Sequence, residues 1–126
     1  MLFYRTNNGA DKVVAVLEKT RDGKCKIYMN AVNLLEVYYD IYREAGKAKA
    51  NEEIAMIKIL PIVIVTDITD EVFAEAGRLK ASYKISLADS FALAQSIVSG
   101  GVLLTSDHHE FEPIDGHEPI RFHWIR

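Results

Sequence analysis

Three carboxylates set the chemical question: Glu36, Asp89 and Asp107. Asp89 falls in the first turn of a predicted helix whose apolar positions are Leu87, Phe91, Leu93, Ala94 and Ile97. Asp107 comes just past a short apolar run, Val102-Leu103-Leu104, that reads as a strand buried on both faces. Glu36 lies on an earlier helix that starts directly after a candidate strand. In open α/β sheets, ligands bind outside the carboxyl ends of the strands, so all three acids belong to one edge. Two carboxylates about 5 Å apart repel by roughly 3 kcal/mol at an effective dielectric of about 20. A pocket holding three must take up protons or bind a cation. Hard oxygen ligands suit Mg²⁺ or Mn²⁺. Such an ion keeps several waters and takes substrate phosphates, so the chemistry this pattern points to is metal-assisted phosphodiester hydrolysis. No nucleophilic side chain is needed, and Ser106 is placed to hold a metal-bound water or the neighbouring acid.

The elements that must position these acids alternate along the chain. Asn7-Asn8-Gly9 is turn chemistry, and a helix follows from about Ala10 to Thr20 with Val13, Val14 and Leu17 facing inward. Lys26–Asn30 is the first strand candidate. Ala31–Ala45 is a helix with a wide apolar arc (Leu34, Leu35, Val37, Tyr38, Ile41, Tyr42), ended by Gly46. Lys47–Leu60 is a further helix, with Ile54, Ile57 and Leu60 inward and Pro61 as terminator. Ile62–Val65 is the second strand, and Thr69-Asp70 opens a helix through Ser82 that packs Val72, Phe73, Ala76 and Leu79. After the stretch from Ser86 to Glu110, Pro113–Pro119 is a loop and Ile120–Ile125 alternates like an edge strand. The pattern predicts an α/β fold of three layers, a mostly parallel central sheet flanked by helices, in a single domain over residues 1–126. Right-handed crossovers then put the strands' carboxyl ends on one edge.

The bulk numbers bound the function. With 126 residues, 49% hydrophobic and 26% charged, the chain suits one globular core. The longest apolar run, around Ile59–Val65, is too short to span a membrane, and the start MLFYRTNNGADK lacks the order of a signal peptide. Cys25 is alone, which excludes an internal disulfide and makes the reducing cytoplasm the expected compartment. A net charge of −3 gives no general pull toward nucleic acid, so RNA contact needs a local basic patch or a metal.

Each candidate also has a plainer reading. Ser86-Leu87-Ala88-Asp89 matches a helix capping box. Asp107 can simply begin a loop, and Glu36 can be a solvated helix residue. Adjacent His108 and His109 point to opposite faces of an extended chain, which argues against zinc. Tyr28, Tyr38, Tyr39 and Tyr42 are candidates for base stacking, and also for core or interface packing. Arg43, Lys47 and Lys49 form the best basic patch, or a solvated helix end.

The segments GADKVVAVLEK, AVNLLEVYYD, ISLADSFALAQ and GVLLTSDHHEFEPI resemble, in order and over nearly the whole chain, PIN-domain proteins of the VapC toxin type. The resemblance implies a Mg²⁺- or Mn²⁺-dependent endoribonuclease acting on single-stranded RNA, a homodimer, and a cognate antitoxin as partner. It maps the family's acids onto Glu36, Asp89 and Asp107, with Asn33, Thr105 and Ser106 supporting them. One departure stands out. The family begins with a strand ending in an acid, whereas Met1–Arg5 matches the far end of the helix after it. The chain is thus expected to be N-terminally truncated relative to the family, and Asp11, which belongs to the following helix, cannot substitute. The absent strand would lie mid-sheet, between Lys26–Asn30 and Val102–Thr105. Its loss is expected to let the flanking strands close up, or to be compensated by a dimer. The competing function is a catalytically impaired PIN module that docks an antitoxin or nucleic acid without cleaving. A receiver-like phosphate acceptor fits poorly, because no suitably placed Lys follows the last strands.

Overall fold

A computed structural model describes residues 10–105 and 111–124 of the chain. The elements run α1 (Ala10–Arg21), β1 (Ile27–Asn30), α2 (Ala31–Ala45), α3 (Lys47–Lys58), β2 (Ile62–Val65), α4 (Asp70–Ser82), α5 (Leu87–Ser99), β3 (Val102–Thr105) and β4 (Arg121–Trp124). Local chemistry sets most of the boundaries. Asn30 ends β1 and also caps α2, its Oδ1 accepting from the Val32 amide at 2.9 Å, so strand passes into helix with no loop. Thr69 caps α4 and Ser86 caps α5 in the same way. Gly100, at φ 72°, supplies the left-handed turn that ends α5.

All pairing among the described strands is parallel, but the sheet is in two halves. β1 pairs with β2, in register Ile27 to Ile62, and β3 pairs with β4, in register Val102 to Arg121. β1 and β3 are not hydrogen-bonded to each other. The expected closing of the sheet therefore does not occur. Two apolar clusters match the two halves. Met29, Leu34, Val37, Ile41, Ala50 and Ile57 pack around β1, α2 and α3. Leu79, Leu93, Leu103, Phe111, Ile114 and Ile120 belong to the cluster of α4, α5 and β3 with the 111–120 segment.

Two-stranded sheets are marginal alone, so helices must join the halves. α5 packs on both β1 and β3, and α2 packs on α5. At that junction the buried Asn33 amide donates from Nδ2 to the Ala88 carbonyl at 2.8 Å. Asn30 Nδ2 also reaches Gln95 Oε1 at 3.5 Å, at the outer limit of a hydrogen bond. The amino end of α5 thus sits at the carboxyl end of β1. Because α5 turns back through Gly100-Gly101 into β3, the carboxyl end of β3 also lies toward that end of α5.

Several inward assignments need correction. Phe73 is 72% exposed and Leu87 58% exposed, and Val14, Leu35, Tyr42 and Val102 are also exposed. Each sits at the margin of its helical or strand stripe, where the periodicity fits but no neighbouring element covers it. Val13 has no described side chain. Elsewhere, Arg78 clamps α4 to the segment before β4. It binds Glu75 (Nη2 to Oε2, 2.9 Å) and Glu118 (Nη2 to Oε1, 2.6 Å), and Tyr83 donates to Glu118 Oε2 at 2.7 Å. The Arg78 bond, followed by that of Tyr83, holds the Glu118 carboxyl below the usual carboxylate range against the opposing pull of burial.

Two measurements check these ties. Asn33→Ala removes a buried bond to the Ala88 carbonyl, which keeps its own helix's amide, and should cost about 0.5–1.5 kcal/mol in urea unfolding. Glu118→Gln should cost about 1.5–3 kcal/mol near neutral pH. Since the folded Glu118 carboxyl titrates below its unfolded value, its stabilisation is fully present above the unfolded pKa of about 4.3 and fades as pH falls through the lower folded one. The gap between wild type and Glu118→Gln should therefore narrow in acid, and a gap independent of pH would refute the clamp.

Candidate functional site

Helix α2 starts at the end of β1, which places Glu36 one turn beyond Asn33 on the same side of the helix. Asp89 follows Ala88, the residue whose carbonyl Asn33 holds. The Asn33–Ala88 bond therefore brings the turns that carry Glu36 and Asp89 against one another. Both acids are half-buried. The Asp89 amide donates to the Ser86 hydroxyl at 3.1 Å, so the capping reading holds for its backbone. Thr105, at the end of β3, is buried. Asp107 and Ser106 lie outside the described residues, as do His108, His109 and Glu110. Among the described residues no three His, Cys, Asp or Glu side chains are grouped closely enough to hold a metal ion.

Other sequence candidates resolve differently. Lys49 is paired with Glu53 at 2.9 Å and lies 3.9 Å from Glu52, and Arg43 lies 3.9 Å from Asp40 and stacks 5.4 Å over the Tyr39 ring. Two of the three charges of the basic patch, those of Arg43 and Lys49, are thus met within their own helices. The hydrogen bond that Lys49 donates to Glu53 raises the Lys49 pKa and keeps it cationic. Tyr38 packs against the α2–α3 core, edge-on to Tyr42, and donates to Asn51 at 3.0 Å. The Cys25 thiol sits 3.2 Å from the Thr20 hydroxyl, a local contact at the end of α1.

Sequence reasoning passed over two polar residues, Asn30 and Gln95. The first had a readable signal, an Asn immediately before a strongly periodic helix. Gln95 had none, because its role depends on a partner 65 residues away. Both line a groove of about 540 Å³ that lies between β1 and β3, walled by α1 and α5.

No helix among the described residues is long and apolar enough to cross a membrane. No curated protein matches the chain. In fold it is similar to a chain of the DNA-bound VapBC complex of Salmonella typhimurium, with a TM-score of 0.70 at 14% identity, covering 99% of this chain and 90% of that one. It is also similar to a chain of VapBC2 from Rickettsia felis bound to a promoter DNA fragment, with a TM-score of 0.68 at 18% identity, covering 93% and 87%. At these identities the likeness speaks for the fold alone. The family model of the PIN domain matches residues 1–116, and with the parallel strands and their flanking helices in place, the chain belongs to the PIN-domain family.

Proposed function

We propose that the chain is a divalent-metal-dependent endoribonuclease of the VapC toxin type, cleaving single-stranded RNA, with Glu36, Asp89 and Asp107 as its metal-holding acids. The observation that supports this reading is the Asn33–Ala88 bond, which joins the helix turns next to the half-buried Glu36 and Asp89. Their donor set, hard oxygens at the boundary of solvent, suits Mg²⁺ or Mn²⁺. When bound, such an ion lowers the pKa of a water and offsets charge on the scissile phosphate. The chain's own residues do the rest. Asn33 fixes the spacing of the two helices, and Ser86 anchors the turn that carries Asp89. Thr105 ends the strand that leads to Ser106 and Asp107.

The partner chemistry follows from the company the fold keeps. Both solved neighbours are chains of VapBC complexes, which supports an antitoxin as partner here. A silent module that docks an antitoxin without cleaving is the second reading, favoured by the split of the sheet, which leaves Glu36 and Asp107 following strands of different halves. Homodimerisation is supported by an apolar stripe on α2. Leu35, Tyr39 and Tyr42 are 57%, 43% and 47% exposed and lie at helical spacing on one face.

A panel of single-stranded RNAs, incubated with Mn²⁺, Mg²⁺ or EDTA, separates the two readings. The nuclease should cut only with metal, and Asp89→Asn or Asp107→Asn should reduce cutting by about 10²-fold or more. Equal cutting by wild type and both variants would sink the assignment, and antitoxin binding without any cutting would favour the silent module. For the dimer, light scattering should show twice the chain mass for wild type and the single mass for Leu35→Asp. A wild-type monomer at high concentration would remove the proposed interface.

A further inference from the structure

The cations that meet no carboxylate are unevenly placed. Lys19, Arg21, Lys24 and Lys26 fall at the end of α1 and in the turn into β1, and all four are exposed. None of them is in an ion pair among the described residues. Glu18 and Asp22 are the acids of this stretch, so it keeps an excess of positive charge in a chain whose total is −3. Lys58, also exposed and unpaired, ends α3 just before β2. The register of Ile27 with Ile62 puts it at the same edge of the strand pair. The turn itself is fixed. Gly23, at φ 77°, donates its amide to the Thr20 carbonyl at 3.1 Å, and the Lys24 amide donates to the Lys19 carbonyl at 2.8 Å, the two bonds of a Schellman motif. Lys19, Arg21 and Lys58 also answer the dipoles of their own helices. Lys24 and Lys26 lie beyond the helix, where the dipole gives no reason for them.

An aromatic ring stands beside these charges. Tyr28, two residues past Lys26, is 52% exposed, and its register partner Val63 is 51% exposed. The next residue, Met29, is buried against α2 and α3, so Tyr28 looks out from the uncovered face of the strand pair. Its ring stacks on no other aromatic among the described residues. An acidic polypeptide matches the cations but brings no repeated flat face to the ring, and an apolar partner leaves the cations unused. Single-stranded nucleic acid uses both, its phosphates on the cations and a base on the ring. We propose that Lys19, Arg21, Lys24, Lys26 and Tyr28 form a holding surface for single-stranded RNA, apart from the acids. The choice of RNA as the polyanion rests on the nuclease reading. β1 runs from this surface to Asn30, where α2 and Glu36 follow, a rise of about 13 Å at roughly 3.3 Å per residue. One RNA strand can therefore touch both ends of β1. The acid edge repels phosphate until a cation sits there, so the hold comes from the basic end.

Fluorescence anisotropy of a labelled oligouridine of about 12 nucleotides tests the surface, read in EDTA so that neither metal nor cleavage contributes. Over about 50 to 200 mM salt, Lys24→Gln/Lys26→Gln should bind about tenfold more weakly than wild type. It should also flatten the slope of log K against log salt by about 1.4, at roughly 0.7 per phosphate contact. Tyr28→Ala should lose about tenfold with the slope kept. Lys80→Gln/Lys84→Gln removes the same charge from exposed, unpaired lysines at the end of α4 and just after it, and should bind as wild type does. Equal losses in the two double variants would overturn the proposal, since net charge alone would then explain binding. So would a wild type that does not bind the oligouridine, or one that binds polyglutamate more tightly. A protein that cuts RNA with metal but binds it independently of Lys24, Lys26 and Tyr28 loses this surface and keeps the nuclease. One that binds through them and cuts nothing keeps the surface and loses the nuclease.

Discussion

One buried amide ties this molecule's two halves across the contact between α2 and α5. Asn33 spends its Nδ2 donor on the Ala88 carbonyl, across the contact between α2 and α5. A free backbone carbonyl at the first turn of a helix is ordinarily claimed by the helix itself. Here an Asn from another helix shares it, and the geometry of both helix ends becomes one object. The acids are not neighbours in sequence, and nothing in their own side chains brings them together. The relation of the turns that carry Glu36 and Asp89 is a property of the helix contact, which an apolar residue at position 33 would not orient. Low dielectric at a buried site strengthens such a bond and raises the penalty for leaving it unmade.

Much of this was readable from residue order. The helix α2 and the strand β2 fall where periodicity and the flanking Asn, Gly and Pro place them, and Thr69 and Ser86 cap the helices they were expected to open. The alternation of helices and parallel strands was legible, because it depends only on the order of periodic segments. Two things were not legible. Marginal apolar residues such as Phe73 and Leu87 satisfy a helical period while facing no neighbour, since periodicity records what a helix offers and not what covers it. The Arg78–Glu118 clamp joins residues 40 positions apart, and no local pattern marks either partner. The expected closure of the sheet failed for a physical reason: α1 and α5 already wall the space between β1 and β3, and closing it would require both helices to repack.

The strand-to-helix passage at Asn30 shows how little chain the site uses. One residue ends a ladder, caps a helix and lines the groove. A loop at this point would have uncoupled Glu36 from β1. With no loop, a displacement of β1 is passed directly to α2, and the acidic edge inherits the order of the sheet.

The two apolar clusters divide the sequence as cleanly as they divide the structure. One draws only on residues between Met29 and Ile64, the other only on residues between Val72 and Trp124. Each half therefore closes its core through contacts within one stretch of chain, and the longest loops are closed where the two halves meet. The polypeptide is in this sense divisible. The link at residues 66–69 separates two lengths of chain that each carry a parallel strand pair and the helices that cover it, so what is inherited as one gene product has the internal economy of two fragments that recognise each other.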